Sequence, residues 1–297
     1  MIYTLNEKHK EIIRRSRPQA KIVKPLGSGD INEVVLVDDE VFRFPKNEEG
    51  RQTLRYEAAI LEKLAGKVSV QIPKVRDLDD DGMYGIFSYI PGRILSSEEI
   101  MSFTIEQKQR LAQSVVVFVR EVSNGLDTLE ISKLSRQQYL PWRDNEAKYY
   151  ETILSWQPQT KYHNLYAIYY EEYKHLRQQV GLPKKTVIYG DFHSGNMLFN
   201  KVNKLTGLID FGDLSVGTII GDLRQLYRLG EDIVRMIIKE LNGEFGNVNF
   251  ELVRLRAIIH EISVMMRPES LPPQINPRAQ LAETLLTKWL GENWGEL

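Results

Sequence analysis

Hydrophobic and polar positions change rhythm about a third of the way along the chain. Up to residue 92 the apolar positions come in short runs. "EVVLV" (33–37) and "EVFRF" (40–44) are β-rich and share the acidic turn "DDE", which predicts a hairpin. "LGSGD" (26–30) is a flexible turn before it. In "TLRYEAAILEKLAG" (53–66) the period lengthens: Leu54, Ala58, Leu61 and Leu64 fall on one helical face, and Gly66 suits the stop. "IPKVRDLDDDGMYGIFSYIPG" (72–92) then gives two strand-like runs about an acidic glycine turn, ending at a Pro-Gly break. The order ββαββ predicts a small antiparallel sheet with one packed helix.

Beyond Gly92 the period is mainly helical. Leu111, Val115, Phe118, Val119 and Val122 form a stripe along 105–125, and Gly125 can end that helix. Tyr162, Tyr166, Tyr169, Tyr170 and Tyr173 repeat at helical spacing, as packing aromatics do. Amphipathic segments follow at about 221–242, 250–267 and 277–290. Between them, "KTVIYGDFHSGNMLFNKVNKLTGLIDFGD" (185–213) holds two short strands, "NMLF" and "LTGLID", around a polar turn. The predicted fold is α+β in two lobes: a β-rich unit over residues 1–92, and a larger helical unit over 93–297 with one inserted β-hairpin.

That hairpin concentrates the candidate chemistry. Asp191 and Asn196 precede its first strand and Asp210 follows its second, so antiparallel pairing brings them together. Two carboxylates and an amide carbonyl are hard oxygen ligands suited to Mg²⁺, which takes few protein ligands and completes its shell with water and phosphate oxygens. Asn196 and Asp210 could supply the protein share, leaving Asp191 to accept a proton from an attacking hydroxyl. Each residue alone would be an ordinary turn or capping residue. Together, D-x-x-x-x-N, strand, turn, strand and then Asp210-Phe211-Gly212 reproduce the order of kinase catalytic and metal loops. The first lobe offers companions: Gly27, Ser28 and Gly29 in a turn able to cover phosphates, a basic residue on the strand after it, and Glu57 on the next helix. No G-x-x-x-x-G-K-[ST] is present, which excludes a P-loop.

With "RFPK", "RYEAAILEKL", "YIPG", "YGDFHSGNMLF" and "LTGLIDFGD" in view, the chain resembles the aminoglycoside phosphotransferase family over roughly residues 20–265. These are small-molecule kinases with a protein-kinase-like fold. Within the family it is most similar to the 2''-aminoglycoside phosphotransferases, through its "SGD" turn and "TGLIDFGD". The resemblance implies ATP or GTP as co-substrate, Mg²⁺ as cofactor, and phosphoryl transfer to an aminoglycoside hydroxyl, which confers antibiotic resistance. Relatives act on macrolides, homoserine, choline and sugars, so another hydroxylated acceptor is the alternative, and a non-catalytic nucleotide-binding protein a third. It further implies Asp191 as catalytic base, Asn196 and Asp210 as metal ligands, and Glu57 as partner of the nucleotide-binding basic residue. "FSYIPG" becomes the hinge, with backbone near Ser88 and Ile90 facing the purine and Phe87 where members control ATP versus GTP use.

Three positions depart from the family pattern. Tyr189 stands where a histidine is usual, and can brace the loop with its ring and hydroxyl. Arg43 stands where lysine is expected, with Lys46 as the other candidate; the planar guanidinium is not a neutral replacement. "VGTIIGDL" replaces a usual "GDPxxDL", keeping Asp222 as a structural support. A polycationic acceptor would call for acids near Asp191, and Asp213, Glu231, Asp232 and Glu261 are the candidates.

Composition narrows the rest. A net charge of −1 gives no global field toward nucleic acid or anionic membrane. The absence of cysteine excludes disulfide and thiolate chemistry. His193 has no partner at metal-ligand spacing, and His9, His163, His175 and His260 are scattered, so zinc is not expected. The charged N-terminus and the lack of a long apolar run predict a cytoplasmic monomer with no membrane or nucleic-acid partner.

Overall fold

The computed structural model describes residues 5–28, 31–134, 151–156, 161–241, 243–267, 276–292 and 294. Its first part is a five-stranded antiparallel sheet of β1 (Val23–Ser28), β2 (Asn32–Val37), β3 (Glu40–Pro45), β4 (Val75–Leu78) and β5 (Gly85–Ser88), in the order β1-β2-β3-β5-β4. Strand alternation sorts its side chains to two faces. Val35, Val37, Phe42, Phe44 and Ile86 pack with Ile13 of α1 (Glu7–Ser16). Phe87 lies in the main core with Leu54 and Ile60 of α2 (Glu48–Leu64). Arg43, between Phe42 and Phe44, therefore points toward α2. The order is βββαββ rather than the expected ββαββ: β1 takes in Leu26–Ser28 of the expected flexible turn, paired along β2, and the charged N-terminal segment forms α1. It is held by an Asn6 N-cap, by stacking of His9 on Phe44 at 4.0 Å, and by an Arg17–Glu40 ion pair at 2.5 Å.

The second part is mainly helical: α3 (Ser97–Met101), α4 (Ile105–Gly125), α5 (Thr128–Lys133), α6 (Lys161–Val180), α7 (Ile220–Leu226), α8 (Glu231–Leu241), α9 (Phe250–Met266) and α10 (Pro277–Leu290). A capping box from Thr104 and Gln107 starts α4. Leu111, Val115, Phe118, Val119 and Val122 are all buried, as the stripe predicts. α9 is apolar around most of its circumference and forms the centre, against α6, α7 and α10. Tyr166 and Tyr173 are buried on α6. The segment read as one helix over 221–242 is broken: α7, a 3₁₀ turn at Tyr227–Leu229, then α8. Gly230 sits at the break with φ 137°, a conformation that favours glycine. No helix among the described residues is long and apolar enough to cross a membrane.

Two small ribbons place the loops of Asp191 and Asp210. The predicted hairpin forms as β7 (Met197–Phe199) with β8 (Leu205–Leu208). A second ribbon, absent from the sequence reading, pairs β6 (Lys185–Ile188) with β9 (Ser215–Thr218). Its strands bracket the hairpin, so the loops β6–β7 and β8–β9 run side by side. The hairpin is also tied to the first part of the chain. Gln71 exchanges hydrogen bonds with Thr206 and Leu208, at 3.0 and 2.9 Å, and Arg93 exchanges two with Phe199 at 2.9 Å. The approach is close: a Cβ on Gly92 would lie 2.8 Å from Leu198 Cβ, and one on Gly207 2.8 Å from Ile90 Cγ2.

Candidate active site

The turn bearing Asp191 is fixed from below. Gly190 has φ 86°, and a Cβ there would fall 2.4 Å from the Asp213 carbonyl oxygen, so both conformation and space require glycine. Asp222, at the start of α7, accepts the amide hydrogens of Tyr189 (3.2 Å) and Gly190 (2.6 Å). Burial pushes the Asp222 carboxyl up to about 6, against the pull of those amides. Tyr189 is buried, its ring edge-on to Phe118, Phe192 and Phe211, and its hydroxyl donates to the Ile209 carbonyl. It thus ties the Asp191 turn to the strand end just before Asp210. Burial, and then the negative charge of Asp210 and Asp191, hold its phenol well above the usual range, so it stays a hydrogen donor.

Asp191 is partly exposed and meets three donors. Asn196 Nδ2 reaches Oδ2 at 2.9 Å, and His193 Nε2 reaches the same oxygen at 3.2 Å. Gln225 Nε2 lies 3.5 Å from Oδ1, at the outer limit of a hydrogen bond. His193 Nδ1 accepts the Gly195 amide at 3.0 Å, which places the ring proton on Nε2, toward Asp191. Because Asn196 turns its amide nitrogen to Asp191, its carbonyl oxygen faces away and accepts nothing among the described residues.

Asp210 is exposed and has φ 63°, an uncommon left-handed conformation that aspartate tolerates. Crowding by protein and the charges of Asp191 and Asp213 push its carboxyl up, with Arg43 opposing. This donor set fits a hard divalent cation: one carboxylate and one amide oxygen, in a field of carboxylates that a cation would relieve. No group of three or more His, Asp or Glu with metal-binding geometry occurs among the described residues, so the site would rely on phosphate and water for its remaining ligands.

Arg43 is linked to this cluster through Glu57. Arg43 Nη1 lies 2.5 Å from Glu57 Oε2, while Glu57 Oε1 accepts the Phe211 amide at 3.1 Å. Glu57 is only 1% exposed, and burial raises its carboxyl despite the adjacent guanidinium. Arg43 also caps the Phe87 ring at 5.2 Å. Of the two basic candidates, Arg43 is the one paired with Glu57. At the hinge, Phe87 and Ile90 are buried. The Ser88 amide donates to Lys74, which removes it from the groups available to a purine, and Ile90 makes no backbone hydrogen bond among the described residues. Gly27 lies at a register shift in β1–β2, with open space where a Cβ would stand. Ser28 ends β1, its side chain outside the described atoms, and Gly29 falls outside the described residues.

The candidate acceptor acids divide. Asp213 belongs to the carboxylate cluster through its effect on Asp210. Glu231 and Asp232 line a cavity of about 420 Å³ with Met101, Lys108, Gly230, Arg235 and Lys288. Asp232 is paired with Lys108 at 2.6 Å and Glu231 with Arg235 at 2.7 Å. Three bases therefore outnumber two acids, both of them paired, and the expected acidic wall is not met there. The expectation for Glu261 is corrected: it is 1% exposed and bound by Arg228 Nε and Nη2, at 2.7 and 2.9 Å, so it holds α9 to the 3₁₀ turn and is buried away from any acceptor. His193 and Gln225 meet Asp191 without any motif that marks them as site residues. The i, i+3 spacing of Asp222 and Gln225 puts both on one helical face, which is the only sequence signal that could have found the latter.

The phosphotransferase enzyme family model matches residues 22–258. Among solved structures, the GDP complex of wild-type aminoglycoside 2'-phosphotransferase-IIIa is similar over 98% of this chain and 100% of that one, with a TM-score of 0.77 and 23% identity. The streptomycin–ATP–APH(2'')-IIa ternary complex is similar over 90% and 92%, with 0.71 and 21%. A macrolide 2'-phosphotransferase of type I is similar over 96% and 99%, with 0.65 and 13%. These likenesses show a bilobal kinase-like fold, and with the family match extending from β1 to the middle of α9, the chain belongs to the phosphotransferase enzyme family.

Proposed function

We propose that this protein transfers the γ-phosphoryl group of ATP or GTP to a hydroxyl of an aminoglycoside antibiotic. The observation that carries the reading is Asp191, partly exposed and oriented by Asn196 and His193, beside Asp210 and the Arg43–Glu57–Phe211 chain. In the reaction the acceptor hydroxyl oxygen bonds to the γ-phosphorus as the β,γ-bridging bond breaks. The hydroxyl proton passes to Asp191 Oδ1, the oxygen not occupied by Asn196 and His193, and the nucleoside diphosphate leaves with the bridging electrons. Arg43, fixed by Glu57, would hold phosphate oxygens. Asn196 and Asp210 would hold Mg²⁺, which when bound supplies charge neutralisation at the phosphates. Ile90 would offer its backbone to the purine, and residues 1–92 would carry the nucleotide against the acceptor-binding 93–297.

Solved kanamycin, streptomycin and gentamicin complexes of similar proteins share the fold, which supports an aminoglycoside acceptor. The carboxylates of Asp191, Asp210 and Asp213 supply negative charge for an ammonium-bearing sugar. A second reading, an uncharged acceptor such as a macrolide, a sugar or an amino alcohol, is favoured by the neutralised acids of the Glu231–Asp232 cavity. Incubation with ATP or GTP, Mg²⁺ and a mixture of these acceptors, read by mass spectrometry, separates the two. Asp191→Asn is expected to lower transfer by roughly 10²–10⁴-fold with nucleotide affinity retained, the range of a positioned general base. Full activity in that variant would overturn the assignment of Asp191.

A further inference from the structure

The cavity of about 420 Å³ lies where the ends of four helices meet: Met101 closes α3, Lys108 is in the first turn of α4, Glu231 to Arg235 open α8, and Lys288 is in the last turn of α10. Its volume is that of a small-molecule site. Two of its bases are held in place by acids. Lys108, 16% exposed, is paired with Asp232 at 2.6 Å. Arg235 is paired with Glu231 at 2.7 Å and lies over the Phe250 ring at 3.5 Å. Lys288 differs. It is exposed and forms no ion pair among the described residues, its charge reaching Glu98 only from a distance. Its Nζ donates to Met101 Sδ instead. A thioether is a weak acceptor, so this ammonium lacks a counter-charge. Three bases against two acids leave one positive charge in the cavity.

We propose that this cavity binds a small hydroxylated monocarboxylate, whose carboxylate replaces Met101 Sδ as the partner of Lys288. The exchange turns a contact with a thioether into a charge-assisted hydrogen bond, roughly twice as strong as a neutral one. A single negative charge balances the cavity, whereas a doubly charged phosphate would bring an excess beside Glu231 and Asp232. The same acids select for hydroxyls on the rest of the ligand. Glu231 Oε1 takes Arg235 and its Oε2 remains to accept a hydrogen bond. Because Lys108 and Arg235 are already fixed by their pairs, only the Lys288 side chain has to be ordered on binding. The cavity adjoins the proposed active site through α3. Met101 ends that helix, and at its start Ser97 Oγ lies 3.4 Å from Ser194 Oγ in the loop of Asp191. The inference goes beyond the phosphotransferase reading and does not depend on it, because binding is measured without turnover.

The test uses the full chain, carbon-13 labelled at its methionine methyl groups, and follows the Met101 methyl by NMR, with Met101→Leu to identify its signal. The probes are the sugar acids glucuronate and gluconate, each set against a neutral counterpart, glucose and glucitol, at matched ionic strength. A saturable shift of the Met101 signal by a sugar acid, and none by its neutral counterpart, is the expected result. Lys288→Gln, an exposed position outside the proposed catalytic machinery, is expected to weaken that binding by about 10–100-fold, the range of a hydrogen bond to a charged group. Lys288→Arg keeps the charge and is expected to bind within about tenfold of wild type, which guards against a fold defect in the first variant. No saturable shift with either sugar acid overturns the inference, as does an equal shift by the neutral counterparts. Binding unchanged in Lys288→Gln removes Lys288 from the site, and tighter binding of inorganic phosphate than of either sugar acid refutes the choice of a monocarboxylate. None of these outcomes touches the kinase reading, which is tested by turnover.

Discussion

Single residues join what the chain keeps apart. Glu57 uses one carboxylate oxygen for Arg43 and the other for the Phe211 amide, so it connects β3 of the sheet to the segment of Asp210. Removing it leaves the Arg43 guanidinium in a protein environment without its counter-charge. Glu57→Ala is expected to destabilise by about 3–5 kcal/mol, as breaking one side of a buried pair does. Glu57→Gln keeps a hydrogen-bonding carbonyl and is expected to cost less. The check is the urea midpoint at unchanged m-value; a Glu57→Ala midpoint equal to wild type would show that Arg43 finds another partner. Tyr189 works in the same way. Its hydroxyl and ring meet the Ile209 carbonyl and Phe211, the bracing that was expected of the residue in the usual histidine's place.

At the scale of elements, α7 is the platform of the Asp191 loop, and its Asp222 carries a pH signature. The folded carboxyl, at about 6, lies above its ordinary value of 3.8. The folded protein therefore binds this proton more tightly than the unfolded chain, and the stability it contributes is full below the lower value and lost as pH rises through about 6. Relative to Asp222→Asn, wild type is expected to lose on the order of 2–3 kcal/mol across that window. Denaturant midpoints of both proteins at matched pH measure it, and a difference that stays flat or grows with pH would contradict the burial argument. The ribbons matter at this scale too. β6–β9 and β7–β8 set the Asp191 and Asp210 loops side by side, and Gln71, before β4, and Arg93, after β5, bind the β7–β8 hairpin to the first part of the chain.

For the whole molecule, the consequence is a five-stranded sheet and a helical body joined through α2, whose Leu54, Ile60 and Leu64 share one core with Phe118, Tyr189 and Phe211. A ligand that touches both sides stabilises the folded state by mass action. At a hundred times its dissociation constant, ATP or GTP with Mg²⁺ is expected to add about 2.7 kcal/mol, or roughly 4 °C in a chain of this size. Chelating the metal is expected to remove most of that gain, because the phosphates would then face Asp191, Asp210 and Asp213 without a cation between them. A melting temperature unmoved by nucleotide, or a gain that survives chelation unchanged, would count against the metal assignment to Asn196 and Asp210.

The sequence by itself determined the elements with strong local periodicity and the short-range motifs. The strands β2 to β5 with the helix between them, the stripe from Leu111 to Val122, the hairpin and the Asp191, Asn196 and Asp210 spacing all depend on neighbours within a few residues, where pattern is informative. Tertiary structure alone decided the rest, because it depends on partners far apart in the chain. α1 is too charged to read as a packed helix until Phe44 and Glu40 are seen to receive it. β6 and β9 are too short to predict without each other. Glu261 looks like any helix acid until Arg228, 33 residues earlier, encloses it, and Glu231 and Asp232 look available until Arg235 and Lys108 neutralise them. Gln225 gains its place only because Asp222 draws α7 against a loop more than thirty residues away. Local pattern fixes which groups can act, and long-range burial and charge pairing fix which of them remain free to do so.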